Sequence, residues 1–388
     1  MIRVAFPLLG GALWTAGRTY LLNLFATLER FQPGSIAPLV LAPEGATEDE
    51  LRPFRNIPSV EVVRVPADLE TSRSRRWARA LLAGRDSRFQ DWLLRQRADL
   101  IFEQADYFGW RPEVPVLAWI PDLQHRTLPG MFSRANWWRR EIGFRMQARG
   151  PRTVMLSSLT SRDECERHYP PSRGRTVVVR FAVPADPGAE VDPSVPARYG
   201  LPARFFYLPN QFWIHKNHSL IVAALALVKD RAPGLVVACS GNPLDPRRPG
   251  HFESLKRAVE AAGVQSQFRL LGMIPYPDVR GLMRNAAALV NPSLSEGWST
   301  TVEEAKSLGV PLVLSGIAVH REQAGDAAIY FDPSSAESAA AALVEAWRRF
   351  DQPGSRSRLL DAARSADERA AQFGADFVAA ARLASGKA

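Results

Sequence analysis

The sequence predicts an α/β protein made of two doubly wound domains, each built on a parallel sheet with helices on both faces. Three observations predict it. Short apolar runs alternate with helical patterns along the whole chain, as strands buried on both faces and their covering helices do. A length of 388 residues exceeds one ordinary core and suits two domains of under ~200 residues each. Finally, 183–202 carries Pro184, Pro187, Pro193, Pro196 and Pro202 with little periodicity, the composition of a linker.

Taken in order, strands are expected near 3–7, 36–42, 60–65, 100–102, 116–120, 153–156 and 176–180 in the first half. In the second half they fall near 205–208, 235–239, 268–271, 288–291, 311–314 and 328–330. This gives an N-terminal domain over 1–182, a linker over 183–203 and a C-terminal domain over 204–365. A last helix over 366–388 is expected to pack back on the N-terminal domain. In such sheets ligands bind at the carboxyl ends of strands, so each domain should offer half of a site in a shared cleft.

The N-terminus has two readings. Residues 2–17 are apolar apart from Arg3 and resemble a short signal peptide. A buried strand over 2–6, a glycine loop and an amphipathic helix (Tyr20, Leu21, Leu24, Phe25, Leu28) fit better, because Arg18 follows at once. No apolar run reaches the ~18 residues a membrane span requires.

Composition narrows the class. Hydrophobic residues make up 46% and charged residues 23% of the chain, as in globular proteins. Cys165 and Cys239 are the two cysteines, with no His/Cys cluster beside them, which argues against disulfides and zinc and fits a reducing cytoplasm. The formal charge is +9, almost all from arginine. No nucleic-acid recognition motif accompanies it, so nucleic acid is not an expected partner. The basic segments 72–97 and 134–152 interleave cations with aromatics. They read either as helices covering a sheet or as a peripheral contact with an anionic membrane.

The most informative string is 291–305, Asn-Pro-Ser-Leu-Ser-Glu-Gly-Trp-Ser-Thr-Thr-Val-Glu-Glu-Ala. It leaves a buried strand and opens a helix. Backbone N–H groups from Gly297 through Trp298, Ser299 and Thr300 would point out of the helix N-terminus, a ready anion site. Glu296 lies in the strand-end loop and Glu304 in the first helical turn. Thr300 and Glu303 read as a capping box, making Glu303 structural. Glu304 is either another first-turn acid or a partner for sugar hydroxyls. Glu296 serves no cap and calls for a hydroxyl or cationic partner.

Lys216, one of five lysines, stands in the strand–helix junction 209–218, where an ammonium suits a departing diphosphate. The plainer reading is a solvated loop lysine. Gly10 and Gly11 end the first strand, either as a tight connection or in contact with ligand. Strand 116–120 ends in Pro121-Asp122-Leu123-Gln124-His125, where His125 and Asp122 are hydrogen-bond candidates and Asp122 is equally suited to capping Arg126.

The 291–333 region resembles glycosyltransferase family 4, retaining enzymes with the two-Rossmann GT-B fold. Glu296 and Glu304 match its E-x7-E element. Pro292-Ser293, Gly309-Val310-Pro311, Ala324-Gly325-Asp326-Ala327-Ala328 and Phe331-Asp332-Pro333 match the text around it. The resemblance implies that Glu296 faces the sugar of a nucleotide-sugar donor, Glu304 the ribose, and the 297–299 backbone the phosphates. It further implies that Lys216 contacts the donor phosphates, with Asn210 and Gln211 beside it. The family's second cation is replaced by Gln211, and its glycine after the aromatic by Ser299. Met273 and Ile274 resemble the base-binding stretch, Gly10 and Gly11 would lie against donor phosphate and acceptor, and His125 would take a sugar-side role.

The function implied is retaining transfer of a sugar from a nucleotide-sugar to a glycan or lipid-linked acceptor in bacterial surface polysaccharide synthesis. It would take place in the cytoplasm, at the inner face of the membrane. No D-x-D triplet stands at a strand end, so neither metal nor cofactor is expected. An epimerase or phosphorylase of the same fold, or a non-catalytic nucleotide-sugar binding protein, remains open.

Overall fold

The computed structural model describes residues 1–9, 15–69, 73–104, 107–185, 192–350 and 356–387. Gly10 and Gly11 lie outside the described residues.

The chain divides into two compact units. Unit 1 comprises Met1–Leu123, Arg134–Pro184 and Glu368–Ala388, and unit 2 comprises Gln124–Ser133 and Ala185–Asp367. Unit 1 holds β1 (Ile2–Pro7), β2 (Ile36–Ala42), β3 (Glu61–Arg64), β4 (Leu100–Glu103), β5 (Val116–Ile120), β6 (Thr153–Leu156) and β7 (Thr176–Val178). They form one parallel sheet in the order β3-β2-β1-β4-β5-β6-β7. Unit 2 holds β8 (Phe206–Leu208), β9 (Val237–Ser240), β10 (Phe268–Gly272), β11 (Ala288–Asn291), β12 (Leu312–Ser315) and β13 (Ala328–Phe331). Their order is β10-β9-β8-β11-β12-β13, again all parallel. Both orders are doubly wound, as expected. Each strand foreseen from the apolar runs is present, with ends moved by up to two residues.

Why these runs became central strands is visible in their burial. All residues of β5 and β11 are buried, because helices cover both sheet faces and leave no polar side. In β8, Phe206 and Leu208 enter one core and Tyr207 the other, following the alternation of strand side chains. In unit 1, Phe6 packs against Phe25 at 4.9 Å, Phe102 at 5.3 Å and Phe377 at 5.9 Å. Tyr20 stacks on Trp119 at 4.2 Å, and Phe373 closes on Tyr20 and Phe181. Each such ring removed from water is worth roughly 1.5–3 kcal/mol.

Phe373 and Phe377 belong to the last helix, Arg356–Ser385, whose residues from Glu368 on are part of unit 1. The chain passes between units at Pro184 and Ala185. Val195 and Leu201 are already buried in the core of unit 2, so the proline-rich stretch ends as structure rather than tether.

The two basic segments differ. Helix Ser87–Arg95 buries Phe89, Trp92 and Leu93 and is ordinary sheet cover. Helix Arg134–Arg149 buries Glu141, Gln147 and Ala148, while Trp138 and Ile142 are 55% and 48% exposed. Phe144 packs on the core of unit 1, but the exposure of Trp138 is not explained by packing under the sheet. Among the described residues, no helix is long and apolar enough to cross a membrane. Both cysteines are free and buried.

Candidate active site

In unit 2 the chain winds from β8 outward through β9 to β10, then returns to place β11 on the other side of β8. The β8/β11 boundary is the topological switch point, where the loops leaving neighbouring strands diverge and open a crevice. The loop after β8 carries Asn210, Gln211 and Lys216. The loop after β11 carries Glu296 to Ser299.

Polar contacts lock these loops together. Asn210 Nδ2 donates to Asn291 Oδ1 at 3.1 Å, Ser293 Oγ donates to the same oxygen at 2.7 Å, and Asn291 Nδ2 donates to Ser299 Oγ at 3.0 Å. Leu294 N donates to His215 O at 2.8 Å. Asn210 is thus a buried strut between strand ends. Gln211 is equally committed, its Oε1 accepting from Asn242 N at 2.5 Å. A side chain at Gly241 would bring its Cβ to 2.3 Å from the Asn210 carbonyl oxygen, so only glycine permits this approach.

Lys216 ends a short 3-10 turn, Ile214–Lys216, and Asn217 follows in the left-handed region at φ 56°, which asparagine tolerates well. Asn217 Nδ2 donates to Pro333 O at 2.9 Å and fixes that turn. Lys216 Nζ then lies 2.5 Å from Glu296 Oε1, with the two side chains only 14% and 9% exposed. The solvated-lysine reading does not hold. The partner that the Glu296 carboxylate called for is Lys216.

Helix Thr300–Ser307 begins differently from the sequence expectation. Its N-cap is Ser299, with no side-chain capping bond, and Thr300 is the first helical residue. The expected box of Thr300 with Glu303 is therefore absent. Glu303 is 1% exposed and accepts from Lys306 Nζ at 3.0 Å and Gln323 Nε2 at 3.0 Å. Gln323 reaches the cap itself, donating to Ser299 O at 2.8 Å and accepting from Ser299 N at 3.2 Å. The local pattern was matched, but a residue 20 positions away won the carboxylate.

Glu304 lies in the second turn, not the first, and is 8% exposed. Tyr276 Oη donates to its Oε1 at 2.8 Å. Burial raises its carboxyl from the ordinary range to about 7, with the Tyr276 hydrogen bond and Arg280 opposing that rise only in part. Met273 is 67% exposed just past β10, and Ile274 packs on the core of unit 2. Trp298, in the loop after β11, and Thr300, at the helix start, are half-buried, and Gly297 and Ser299 are buried.

His125 is fully buried on the short helix Gln124–Thr127, which is grouped with unit 2. That segment meets the 291–299 loop where Thr127 Oγ1 and Ser295 Oγ are 3.2 Å apart. Asp122, in unit 1, pairs with Arg140 at 2.5 Å.

Four residues that sequence reasoning passed over take part. Tyr276 and Gln323 are the partners just described. Arg247 bonds His215 Nδ1 at 2.9 Å and Asp245 at 3.3 Å, so a carboxylate already balances it. His320 is fully buried, and its Nδ1 lies 3.0 Å from Ser315 Oγ and 3.0 Å from Ser315 O. The available signal was position alone, since His320 and Gln323 follow the end of β12. Among the described residues no three His, Cys, Asp or Glu side chains gather as a metal cluster.

Known proteins share this fold. Residues 201–364 match the model of the glycosyl transferases group 1 family. The chain is 24% identical over 278 residues to O-antigen chain mannosyltransferase B of Escherichia coli, covering 68% of this chain and 70% of that protein. The structure of a glycosyltransferase from Rickettsia africae superposes with a TM-score of 0.69 at 12% identity, covering 98% of each chain. Anabaena HepE in complex with UDP and glucose superposes at 0.68 with 14% identity, covering 97% of this chain and 98% of that one. The chain is thus a glycosyltransferase of the GT-B fold class, matched by the group 1 family model over residues 201–364.

Proposed function

We propose that the protein is a retaining, metal-independent enzyme of the family 4 type that takes its sugar from a nucleotide-sugar held by unit 2. The acceptor is a glycan or lipid-linked glycan of a bacterial surface polysaccharide. The observation that carries this reading is the Lys216–Glu296 pair at the β8/β11 switch point. It joins a cation suited to a leaving diphosphate with a carboxylate suited to sugar hydroxyls.

Helix Thr300–Ser307 adds the N-terminal N–H groups that favour phosphate. Glu304, under the Tyr276 hydroxyl, is assigned to the ribose. A nucleoside diphosphate is already a good leaving group, so its developing charge needs stabilising more than protonating. Lys216 and the helix terminus supply that without a metal ion, and the phosphate can take the acceptor's proton on the same face. The relatives that carry O-antigen mannosyltransferase names support the surface-polysaccharide setting.

On this reading the enzyme works at the cytoplasmic face of the cell membrane. Support comes from helix Arg134–Arg149, which exposes Trp138 and Ile142 beside Arg139, Arg145 and Arg149. An anionic lipid surface complements that combination of apolar side chains and cations.

The deciding experiment measures nucleoside diphosphate release with and without polysaccharide-acceptor fractions, and reads the product's anomeric configuration by NMR. Acceptor-dependent release with retained configuration is expected. Inverted product would sink the retaining assignment. Release or isomerisation without acceptor would replace it with the epimerase reading.

A further inference from the structure

His320 is a buried histidine whose tautomer can be derived. Ser315 Oγ donates its one proton to Ser293 O at 2.6 Å. Both groups at 3.0 Å from His320 Nδ1, the Ser315 hydroxyl oxygen and the Ser315 carbonyl, can then only accept. Nδ1 must therefore carry the ring proton, and Nε2 is a bare lone pair. That nitrogen is buried and has no hydrogen-bond partner among the described residues. An acceptor left so incurs its full desolvation cost. Such a group calls for an explanation, and a ligand that meets it is one.

Its position says which ligand. His320 sits on helix Ala318–Ala324, directly after β12, whose neighbour in the sheet is β11. The imidazole lies within electrostatic reach of both Lys216 and Glu296, and burial lowers its pKa to about 4. A neutral ring presenting only a lone pair cannot neutralise phosphate. It can accept from a hydroxyl.

We propose that His320 Nε2 accepts a hydrogen bond from a hydroxyl of the sugar carried by the nucleotide donor, making His320 a specificity-determining residue beside Glu296. This rests on the donor-site reading given above. Ser315 and Ser293 act through it, holding the tautomer that makes Nε2 an acceptor. A sugar lacking that hydroxyl, or carrying an acceptor in its place, leaves Nε2 unmet and is rejected.

Titration calorimetry on the full chain tests this. UDP-glucose, UDP-galactose, GDP-mannose and dTDP-rhamnose are screened, and the tightest is compared with its own nucleoside diphosphate. His320→Asn keeps a group near Nδ1 but removes the acceptor. It should weaken the nucleotide-sugar about 10- to 30-fold while the nucleoside diphosphate stays within about threefold. His320→Gln places an amide oxygen near Nε2 and should recover most of the loss. Equal weakening of both ligands in both variants would reduce His320 to packing, and unchanged binding of the sugar would remove it from the site. Wild-type protein that binds none of the four would overturn the donor-site reading itself.

Discussion

The ammonium of Lys216 stands 2.5 Å from the carboxylate of Glu296, joining two strand-end loops across 80 residues of sequence. Each group satisfies the other's charge at a place where neither is freely solvated. On the proposed roles, phosphate binding and sugar binding draw on one electrostatic unit.

Lys216→Met should act on stability and on turnover, and the two effects can be separated. Losing the cation leaves Glu296, 9% exposed, as a carboxylate without its partner. A cost of about 2 kcal/mol is expected, below the 3–5 of fully buried pairs because both side chains keep some exposure. Adding Glu296→Gln should restore most of that stability, as read by thermal unfolding. Turnover should not return, with kcat/KM remaining down by about 10²–10³, or roughly 2.7–4 kcal/mol. A double variant as active as wild type would remove the pair from catalysis.

Metal dependence provides a second check. Lys216 and the N-terminus of helix Thr300–Ser307 supply the positive potential assigned to the diphosphate. Turnover is expected to persist in excess EDTA. Activity lost to EDTA and restored by Mn²⁺ or Mg²⁺ would mean that this charge arrangement is insufficient.

Glu303 now carries a prediction different from that of a capping residue. Its carboxylate holds both Lys306 and Gln323, and Gln323 clasps the Ser299 backbone. Glu303→Ala should cost about 2 kcal/mol, roughly 4–8 °C in Tm. Donor KM should rise through displacement of Ser299, with kcat less affected. A variant as stable as wild type would show that Gln323 and Lys306 do not depend on the carboxylate.

The contrast between these sites shows what the sequence could convey. Central strands such as 288–291 were legible because burial on both faces demands an uninterrupted apolar run. Lys216 and Glu296 were each legible from residue type at a strand end, and their loops from the strand–helix transitions. Their pairing was not, since a contact over 80 residues follows from strand order, which local pattern does not specify. Glu303 misled for the same reason: Thr300-x-x-Glu303 satisfies a local rule, while Gln323 arrives from a different helix. The lone pair of His320 lay further out of reach, because it depends on the orientation of the Ser315 hydroxyl.

Helix Arg134–Arg149 predicts a lipid dependence. With Trp138 and Ile142 exposed beside arginines, the protein should sediment with phosphatidylglycerol vesicles and not with phosphatidylcholine ones. About 1 kcal/mol per arginine is expected, screened by salt. Arg139→Glu with Trp138→Ala should lower vesicle binding at least tenfold without changing Tm. Equal binding to both lipids would leave the exposed face without an electrostatic role.

Glu304 gives the last prediction, in which one carboxyl sets two pH dependences of opposite sense. Its proton is held to about pH 7 in the folded state, against 4.5 as the ordinary value, because burial penalises the charge. Between those values the native state binds more protons than the unfolded chain. The stability from this group is therefore fully present below about pH 4.5 and is lost as pH rises through about 7. Glu304→Gln lacks that term, so its stability relative to wild type should improve from pH 5 to about pH 7 and level off above it. Donor binding should run the other way. Ribose hydroxyls donate to the ionised carboxylate and favour it, so nucleoside diphosphate affinity should rise by up to about tenfold between pH 5.5 and 8. Calorimetry near pH 6.5 in two buffers of different ionisation enthalpy should detect proton release on binding, and the Gln variant should show neither effect. Wild-type affinity that stays flat over this range, with no proton released, would take Glu304 out of the ribose site.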